Sequence, residues 1–282
     1  MHLHENETRK RAFGQDAELY DAMRPRYPAA LVERVADHAG ITRATRAVEV
    51  GSGTGIATLP FAELGCAVHC LELNDSMAAV ARRKLARFPR VKVETVRFED
   101  WTAEDGAFDL VFCAQAWHWL APEVRYRKAK RLLRPGGTLA VFANRDVAVV
   151  EEVQPVYRRH GRPDRPAHRE AWRDRHPPDI DAGIADARAS IRRSGCFRDV
   201  EFHRFPWEQS YHAHDYVRLL RTYSDHSTLP ADVLEPLLRD IAAAIEAAGG
   251  FVTVRYEAVL MVARPAKRGP TRPLLERARR PE

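Results

Sequence analysis

The fold of this chain is decided by one stretch, Ala47-Val48-Glu49-Val50-Gly51-Ser52-Gly53-Thr54-Gly55-Ile56-Ala57-Thr58. The β-branched residues at its start predict a strand, and glycine at every second position predicts a turn whose backbone can come close to a ligand. An apolar helical pattern follows, so the turn would present free backbone N–H groups to whatever binds there. The stretch therefore indicates a loop that binds a nucleotide or a cofactor.

Three cofactor classes are candidates for a glycine turn of this kind. The glycines stand at Gly51, Gly53 and Gly55, whereas a dinucleotide fingerprint requires G-x-G-x-x-G. A phosphate-binding loop would end in Gly-Lys-Ser/Thr, and this turn does not. The third candidate, S-adenosylmethionine (SAM), carries a sulfonium cation and a zwitterionic methionine tail and has no pyrophosphate. The acidic Glu49 beside the glycines favours SAM, although a turn that binds nothing is also compatible with these residues.

Downstream of the loop, short apolar runs alternate with helical patterns. Strands are predicted at 47–50, 67–71, 91–96, 108–113 and 138–143, and helices at 56–64, 74–88 and 122–133. Strands joined through helices in this way predict an α/β fold, namely a Rossmann-like doubly wound sheet. Two further helices, Phe13–Met23 and Ala29–Ala39, precede the first strand.

The ends of these strands carry candidate ligand-binding residues, because ligands bind at the carboxyl ends of the strands in such sheets. Glu72 follows the second strand, where a carboxylate can accept hydrogen bonds from both ribose hydroxyls; a surface carboxylate is the alternative. The third strand runs into Phe98-Glu99-Asp100-Trp101. There a carboxylate can accept the adenine amino group and aromatic rings can enclose the base. The sequence does not separate Glu99 from Asp100 in this role.

In this order the motifs resemble class I SAM-dependent methyltransferases, in particular a bacterial small-molecule branch with an AQAxHW loop. The matching stretches are Glu49–Gly55, Glu72, Phe98–Trp101, Phe108-Asp109, Ala114–Trp119 and Arg134-Pro135-Gly136-Gly137, preceded by Phe13, Tyr20, Arg24-Pro25 and Tyr27-Pro28. The resemblance covers about residues 13–145. Glu49 departs from it, since the family usually has aspartate there. The resemblance implies a seven-stranded sheet, mostly parallel with an antiparallel last strand, and its last two strands would be 199–207 and 252–262.

The same resemblance implies SAM as the cofactor and S-adenosylhomocysteine as the product. It implies a cofactor site made of Tyr20, Arg24, Glu49, Gly51, Ser52, Gly53, Gly55, Glu72, Leu73, Met77, Phe98, Glu99, Asp100, Trp101, Gln115 and Ala116. Arg24 would pair with the methionine carboxylate under a lid of N-terminal helices. Simple packing is the alternative for Phe13, Tyr20 and Tyr27.

His118, within Trp117-His118-Trp119, is the candidate catalytic residue. Methyl transfer requires an acceptor held in line with the methyl carbon, and a general base only where the acceptor must lose a proton. A histidine, with an ordinary pKa near ~6.5, suits that role. The alternative is that Trp117–Trp119 forms a wall of the cofactor site. No histidine and carboxylate cluster has ligand spacing, so no metal is expected.

The second half of the chain is expected to form the acceptor pocket. Candidates are Trp117 and Trp119 together with Tyr211, His212, His214, Tyr223, Ser224 and His226, beside helices at 215–223 and 231–247. Arginines and prolines are frequent in 146–195, with an excess of four positive charges over Arg158–Arg175. This segment is either a cap that holds an anionic acceptor or a solvated insertion.

Composition limits the organisation and the partners. The 282 residues carry a net charge of +6, of which Arg264–Glu282 supplies +5. Five segments are expected: 1–42 as N-terminal helices and lid, 43–145 as the SAM-binding core, 146–195 as the cap, 196–263 as the last strands with pocket helices, and 264–282 as a disordered basic tail. A folded domain with so little excess charge makes nucleic acid an unlikely partner.

The expected protein is a cytoplasmic monomer or homodimer. No apolar run approaches the ~18 residues of a membrane span, and no secretory signal is visible. The four cysteines have no C-x-x-C spacing, and the apolar surroundings of Cys66 and Cys113 predict small buried residues. The expected function is methyl transfer to oxygen or nitrogen of a small molecule. The alternatives are an RNA or protein methyltransferase that uses the basic segments, and a SAM-binding protein that transfers no methyl group.

Overall fold

The computed structural model describes residues 16–147, 150–162 and 179–267. Phe13, most of the predicted basic tail and the centre of the predicted cap, including Arg165, Arg169, Arg173 and Arg175, lie outside the described residues. Within the described part, no helix combines the length and the apolar character that crossing a bilayer requires.

Two helices precede the sheet. Helix α1 spans Ala17–Met23 and begins at Asp16, whose side chain accepts the Leu19 N–H at 2.8 Å. It ends before Pro25, because the residue preceding a proline disfavours helical geometry. Helix α2 spans Ala29–Ala39 and ends at Gly40, which has a φ of 62° and terminates the helix in a left-handed conformation.

Strands and helices then alternate along the chain, as predicted from the sequence, and the strands form one sheet. They are β1 Arg46–Val50, α3 Thr58–Glu63, β2 Ala67–Glu72, α4 Asp75–Leu85, β3 Val91–Thr95, β4 Phe108–Ala114, a 3-10 turn Trp117–Trp119, α5 Pro122–Leu132 and β5 Leu133–Asp146. The later elements are a 3-10 turn Glu151–Val153, α6 Gln154–Arg159, α7 Ile180–Ser194, β6 Phe197–His212, α8 Ala213–Arg221, α9 Ser224–Ser227, α10 Ala231–Ala247 and β7 Phe251–Pro265.

The sheet has seven strands in the order β3-β2-β1-β4-β5-β7-β6. Strands β1 to β5 pair in parallel, and β7 is antiparallel to both of its neighbours, β5 and β6. The predicted seven-stranded, mostly parallel sheet with an antiparallel last strand is therefore confirmed. Strand order reverses between β1 and β4, and in doubly wound sheets the ligand crevice lies at this point.

Three strands are longer than predicted. Strand β5 begins at Leu133, before the predicted 138–143, and includes Arg134-Pro135-Gly136-Gly137. Strands β6 and β7 pair with each other from Phe197 opposite Pro265 to His212 opposite Phe251, well past the predicted 199–207 and 252–262. Exposed polar residues alternate along β6, so its apolar pattern gave no sign of the extra length.

Helices cover both faces of the sheet, as a doubly wound fold requires. On one face α2 and α3 bury Leu31, Val35 and Phe61 against β4 and β5. On the other face α5 and α7 bury Leu132 and Ile191. The four cysteines are free and buried, and the prediction that Cys66 and Cys113 are small buried residues is confirmed. Shortening one of these buried leucine, isoleucine or phenylalanine side chains to alanine typically costs ~2–5 kcal/mol of stability.

Candidate active site

A cavity of about 920 Å³ opens at the carboxyl ends of β1, β2, β4 and β5. Its glycine-loop side comprises Gly51, Gly53, Glu72, Leu73, Met77, Phe98, Glu99, Gln115 and Ala116. Its α7 side comprises Ile180, Gly183, Ile184, Ala187 and Ser190, together with the facing His118, Arg125 and Phe202. Volumes of ~300–1,000 Å³ are typical of sites that enclose small molecules. The structure therefore brings most of the predicted site residues to one cavity.

The first two glycines of the loop, Gly51 and Gly53, line this cavity with backbone alone. Gly51 has a φ of 68°, and a Cβ added there would lie 2.5 Å from the Cβ of Ala116. Gly53 has a φ of 56° and donates its N–H to Glu72 at 2.7 Å. Any side chain at Gly51 would therefore strain the backbone and push against the end of β4.

Gly55 has a different role from the one predicted. It does not line the cavity; a Cβ there would lie 2.8 Å from Leu85 Cδ1, and its φ is 76°. Gly55 thus permits close packing between the loop and helix α4. The prediction that it contacts the cofactor is not supported.

The end of β4 meets the glycine loop through two predicted residues. Gln115 has a φ of 62°, which is uncommon for a residue with a side chain. Its backbone N–H donates to the Phe142 carbonyl at 3.0 Å and its side-chain amide donates to the Asn144 carbonyl at 3.2 Å. These bonds to β5 fix the turn that places Ala116 against Gly51, and strain of this kind is common at ligand sites.

Glu72 is the buried carboxylate on the glycine-loop side. One oxygen accepts the Gly53 N–H at 2.7 Å and the other accepts the Asn74 N–H at 2.8 Å. Burial raises the pKa of Glu72, and these backbone hydrogen bonds act in the opposite direction. Each oxygen keeps a further lone pair, so the carboxylate can also accept hydroxyl groups from a ligand in the cavity.

A small cavity of about 50 Å³ adjoins the glycine loop, and Arg24, Glu49 and Ser52 all line it. The Nε of Arg24, the Oε1 of Glu49 and the Oγ of Ser52 are buried and have no hydrogen-bond partner within the part of the chain described here. Burial raises the pKa of Glu49 to about 8, although Thr58 donates a hydrogen bond to its other oxygen. Orphaned groups of both charges suit a zwitterionic ligand.

Arg24 links the N-terminal helix to a late loop. Its guanidinium lies over the rings of Tyr20, at 4.8 Å, and Tyr223, at 4.3 Å, and donates to the Thr222 carbonyl at 2.7 Å. Tyr20 and Arg24 line both cavities, as the prediction of a lid requires. Tyr223 also lines the large cavity.

The stretch after β3 separates into residues that face the cavity and residues that do not. Phe98 and Glu99 line it, and Glu99 accepts the Ala121 N–H at 3.1 Å. Asp100 points outward, with 70% of its side chain exposed, next to Arg97. Trp101 packs between His69 and Phe108. The predicted contacts of Asp100 and Trp101 with a cofactor are not supported, and Glu99 is the carboxylate at this position.

On the α7 side, Trp117, His118, Trp119, Tyr223 and Ser224 line the cavity as predicted. The four remaining pocket candidates, Tyr211, His212, His214 and His226, do not. Tyr211 is buried and hydrogen-bonds Tyr256 at 3.2 Å, because β6 extends through it into the core of the C-terminal half. His212 is exposed at the end of that strand.

His226 is buried behind the cavity wall rather than on it. Its ring forms hydrogen bonds with the Tyr157 hydroxyl and the Asp225 carboxylate, each at 2.9 Å. Of these three residues, Asp225 lines the cavity. His214 is exposed on α8 and does not line the cavity either. The sequence pattern located the right loop but not which of its polar residues face inward.

Sequence reasoning missed Arg125, Ser190 and Asp225, all of which line the cavity. Arg125 stands in a helix dense with basic residues, and no spacing sets it apart from its neighbours. Ser190 belongs to α7, in the segment expected to be a cap. Within the described residues, no group of three or more histidine, cysteine or acidic side chains is placed to hold a metal ion.

Comparisons with known proteins agree with this geometry. A family model described as "Methyltransferase domain" matches residues 48–141. The malonyl-[acyl-carrier protein] O-methyltransferase of Geobacter sulfurreducens is 32% identical over 208 residues, which cover 68% of this chain and 70% of that protein. This chain belongs to the class I SAM-dependent methyltransferases. The large cavity of this methyltransferase is therefore the expected place for SAM.

Two further comparisons delimit what the methyltransferase family membership covers. An uncharacterized methyltransferase-like protein of Schizosaccharomyces pombe is 32% identical over 154 residues, 53% of this chain and 59% of that protein. The chain thus spans less than two thirds of that relative. The solved structure of a proposed type II methyltransferase of Anaeromyxobacter dehalogenans superposes with a TM-score of 0.58 at 23% identity, covering 86% of this chain and 97% of that one. This similarity concerns the fold.

The residues present fit SAM, the cofactor of this family. The orphaned groups of Arg24, Glu49 and Ser52 match a carboxylate and an ammonium group, and Gly51 and Gly53 present backbone without side chains to the cavity. Glu72 offers acceptors for ribose hydroxyls, and Phe98 and Glu99 offer an aromatic face and an acceptor for adenine.

Proposed function

We propose that this protein transfers a methyl group from SAM to an oxygen or nitrogen atom of a small-molecule acceptor. The observation that carries the proposal is that one large cavity is lined both by Glu72 and Gly53 and by His118 and Arg125. A site for SAM alone would need only the glycine-loop side. The additional space on the α7 side supports a second, smaller ligand next to the first.

Bound SAM supplies an electrophilic methyl group on its sulfonium. The protein's own contribution is to hold the acceptor in line and to exclude water. Trp117, Ile184 and Phe202 give the α7 side an apolar lining. His118 lines the same cavity and would take a proton from an acceptor that carries one. The Geobacter relative is named as an O-methyltransferase, which supports oxygen as one acceptor atom.

The experiment is to incubate the purified protein with SAM and a panel of carboxylic acids, phenols and amines, and to measure S-adenosylhomocysteine. We expect product with at least one small acceptor, and product loss with Glu72→Ala. Tight SAM binding without product from any acceptor would favour a SAM-binding protein. Product formed with RNA or protein alone would favour a macromolecular acceptor. Absence of SAM binding would contradict the whole proposal.

The proposal extends to a cytoplasmic protein that works as a monomer or a homodimer. Residues of one chain line both the glycine-loop side and the α7 side of the large cavity, which supports a site that is complete without a partner. Gel filtration with and without SAM tests this part. A site that binds SAM only in a dimer would contradict it.

A further inference from the structure

Arg125 is a cation on the α7 side to which the described residues supply no counter-charge. Arg125, on α5, lines the cavity on the same side as His118. Its Nη1 donates to the Trp117 carbonyl at 3.2 Å and its Nη2 donates to the Ser190 hydroxyl at 3.1 Å. The guanidinium is thus held between the 3-10 turn that carries His118 and helix α7, and it also lies over the Tyr126 ring at 5.1 Å.

Both acceptors of Arg125 are neutral oxygens. Among the residues that the structure describes, no carboxylate lies within ion-pair distance of this guanidinium, and its Nε is buried without an acceptor. Nearby arginines differ: Arg131, also on α5, pairs with Asp105 at 3.3 Å, and Arg134 pairs with Asp109. Two bonds leave further N–H groups of the guanidinium unused.

A partly buried cation without a counter-charge is unfavourable unless a ligand supplies the anion. The acidic residues that line the same cavity include Asp186, one turn before Ser190 on α7, and it makes no ion pair with Arg125. A guanidinium matches a planar carboxylate, to which it can donate two parallel hydrogen bonds. The position therefore favours a ligand that carries a carboxylate.

The surroundings of Arg125 indicate the rest of that ligand. Ile184 and Ala187 on α7, Phe202 on β6 and Met261 on β7 line the same region of the cavity. Such a lining favours an apolar body over a sugar or a nucleotide, because burial of apolar surface is the dominant favourable contribution to binding. It also disfavours a strongly hydrated phosphate dianion.

We propose that the methyl acceptor is a carboxylic acid with an apolar body, and that Arg125 binds its carboxylate. This inference rests on the proposed function, since it names the acceptor class for the same cavity. The turn at Trp117–Trp119 is bonded to Arg125, so a carboxylate held there lies beside the turn that presents His118. Arg125 is thereby a specificity-determining residue.

The test measures binding rather than turnover. Protein saturated with S-adenosylhomocysteine is titrated with hexanoate, hexanamide and hexyl phosphate by calorimetry. We expect wild type to bind hexanoate about tenfold to hundredfold more tightly than hexanamide, as charge-assisted hydrogen bonds usually provide, and more tightly than hexyl phosphate. Arg125→Met should remove the preference for the acid over the amide, and Arg125→Lys should keep part of it.

Arg127→Met is the matched control, because Arg127 is exposed on the same helix and does not line the cavity. It should retain the wild-type preference. S-adenosylhomocysteine affinity and the unfolding temperature report whether Arg125→Met is folded, and Arg125→Lys keeps the test valid if it is not. An equal affinity of wild type for acid and amide would overturn the inference, and so would a preference that survives in Arg125→Met.

These outcomes separate the inference from the proposed function. Methyl transfer to neutral acceptors, with unchanged rates in Arg125→Met, would leave the function standing and refute the carboxylate site. Acid binding that depends on Arg125, with no methyl transfer to any acid, phenol or amine, would refute the function and leave Arg125 as a carboxylate-binding residue. A preference for hexyl phosphate would replace the carboxylate with a phosphate monoester and overturn the acceptor class.

Discussion

The two sides of the large cavity are built in different ways. The glycine-loop side is backbone geometry: left-handed glycines, the ends of parallel strands, and a carboxylate that accepts two backbone N–H groups. The α7 side is made of side chains from a 3-10 turn, from helices α5 and α7 and from strands β6 and β7. Backbone geometry restricts the residue type at each position, whereas a wall of side chains accepts many combinations.

Gly51→Ala is expected to have the largest effect, because it acts on the backbone geometry itself. The new Cβ would lie 2.5 Å from Ala116 Cβ at a φ of 68°, and overpacking and strain each cost ~1–3 kcal/mol. We expect SAM binding to fall below detection in calorimetry and the unfolding temperature to drop.

Gly40→Ala is the control for this change. Gly40 has a similar φ of 62° but nothing within 4 Å of an added Cβ, so it isolates the backbone strain. If both variants lost equal stability and both bound SAM normally, the close approach at Gly51 would have no role in the site.

His118→Ala acts on the α7 side. For acceptors that must lose a proton, loss of a positioned general base should lower turnover about 10²- to 10⁴-fold while SAM affinity changes little. The measurement is kcat together with SAM affinity. His212→Ala, at an exposed histidine outside the cavity, serves as the control. A parallel loss of SAM affinity would instead place His118 in the wall of the cofactor site.

Glu72→Ala acts again on the glycine-loop side, with a smaller expected effect. Loss of charged hydrogen bonds to ribose should weaken SAM binding by ~1.5–3 kcal/mol. Asp100→Ala is the comparison, since this carboxylate also follows a strand but points outward; we expect it to bind SAM like wild type. Equal affinities for the two variants would contradict the role of Glu72.

The pH dependence of SAM binding should be the mildest effect. Burial raises the pKa of Glu49 to about 8, so without SAM the Glu49 carboxyl group is mostly protonated at neutral pH. An ammonium group beside Glu49 favours the ionised carboxylate, and binding then releases a proton. SAM affinity should therefore rise with pH, at most about tenfold per pH unit, and level off near pH 8. Glu49→Gln should remove this slope, and an unchanged slope would exclude Glu49 as its source.

The same pKa shift has a consequence for stability. A carboxyl group whose pKa is higher in the folded than in the unfolded state binds more protons when folded, so stability falls as pH rises between the two pKa values. For Glu49 this window runs from its ordinary value of 4.5 to about 8. Thermal unfolding is measured across this window for wild type and Glu49→Gln, both without SAM. The unfolding temperature of wild type should fall as the pH rises, and that of Glu49→Gln should not show this fall.

The sequence predicted the fold and the glycine-loop side because both depend on local rules. Gly51, Gly53 and Glu72 have fixed spacings along one βαβ unit, so their meeting follows from chain connectivity. The sequence pattern assigns Gly55 to the ligand site. Its positive φ and its closeness to Leu85 account for a glycine at this position without a ligand. A glycine required for packing and a glycine required for a ligand produce the same sequence pattern.

The α7 side could not be predicted to the same degree. The sequence pattern points to Tyr211 and His226 as polar residues near the pocket loop, but strand β6 carries Tyr211 into the core and helix α9 turns His226 toward Tyr157. Arg125 was overlooked because its lack of a carboxylate partner is a fact of three-dimensional packing. No single-sequence pattern distinguishes an arginine with an ion pair from one without.

Arg24 joins segments of the chain that are 198 residues apart, through its bond to the Thr222 carbonyl and its position between Tyr20 and Tyr223. Opening of α1 therefore also frees the Tyr223 loop, and the two segments should behave as one cooperative unit. In hydrogen–deuterium exchange, the amides of α1 and of the loop around Tyr223 should exchange at a common rate. Addition of SAM should slow exchange in both segments to the same extent, so segments from the first and the last third of the chain would respond to the ligand as one cooperative unit.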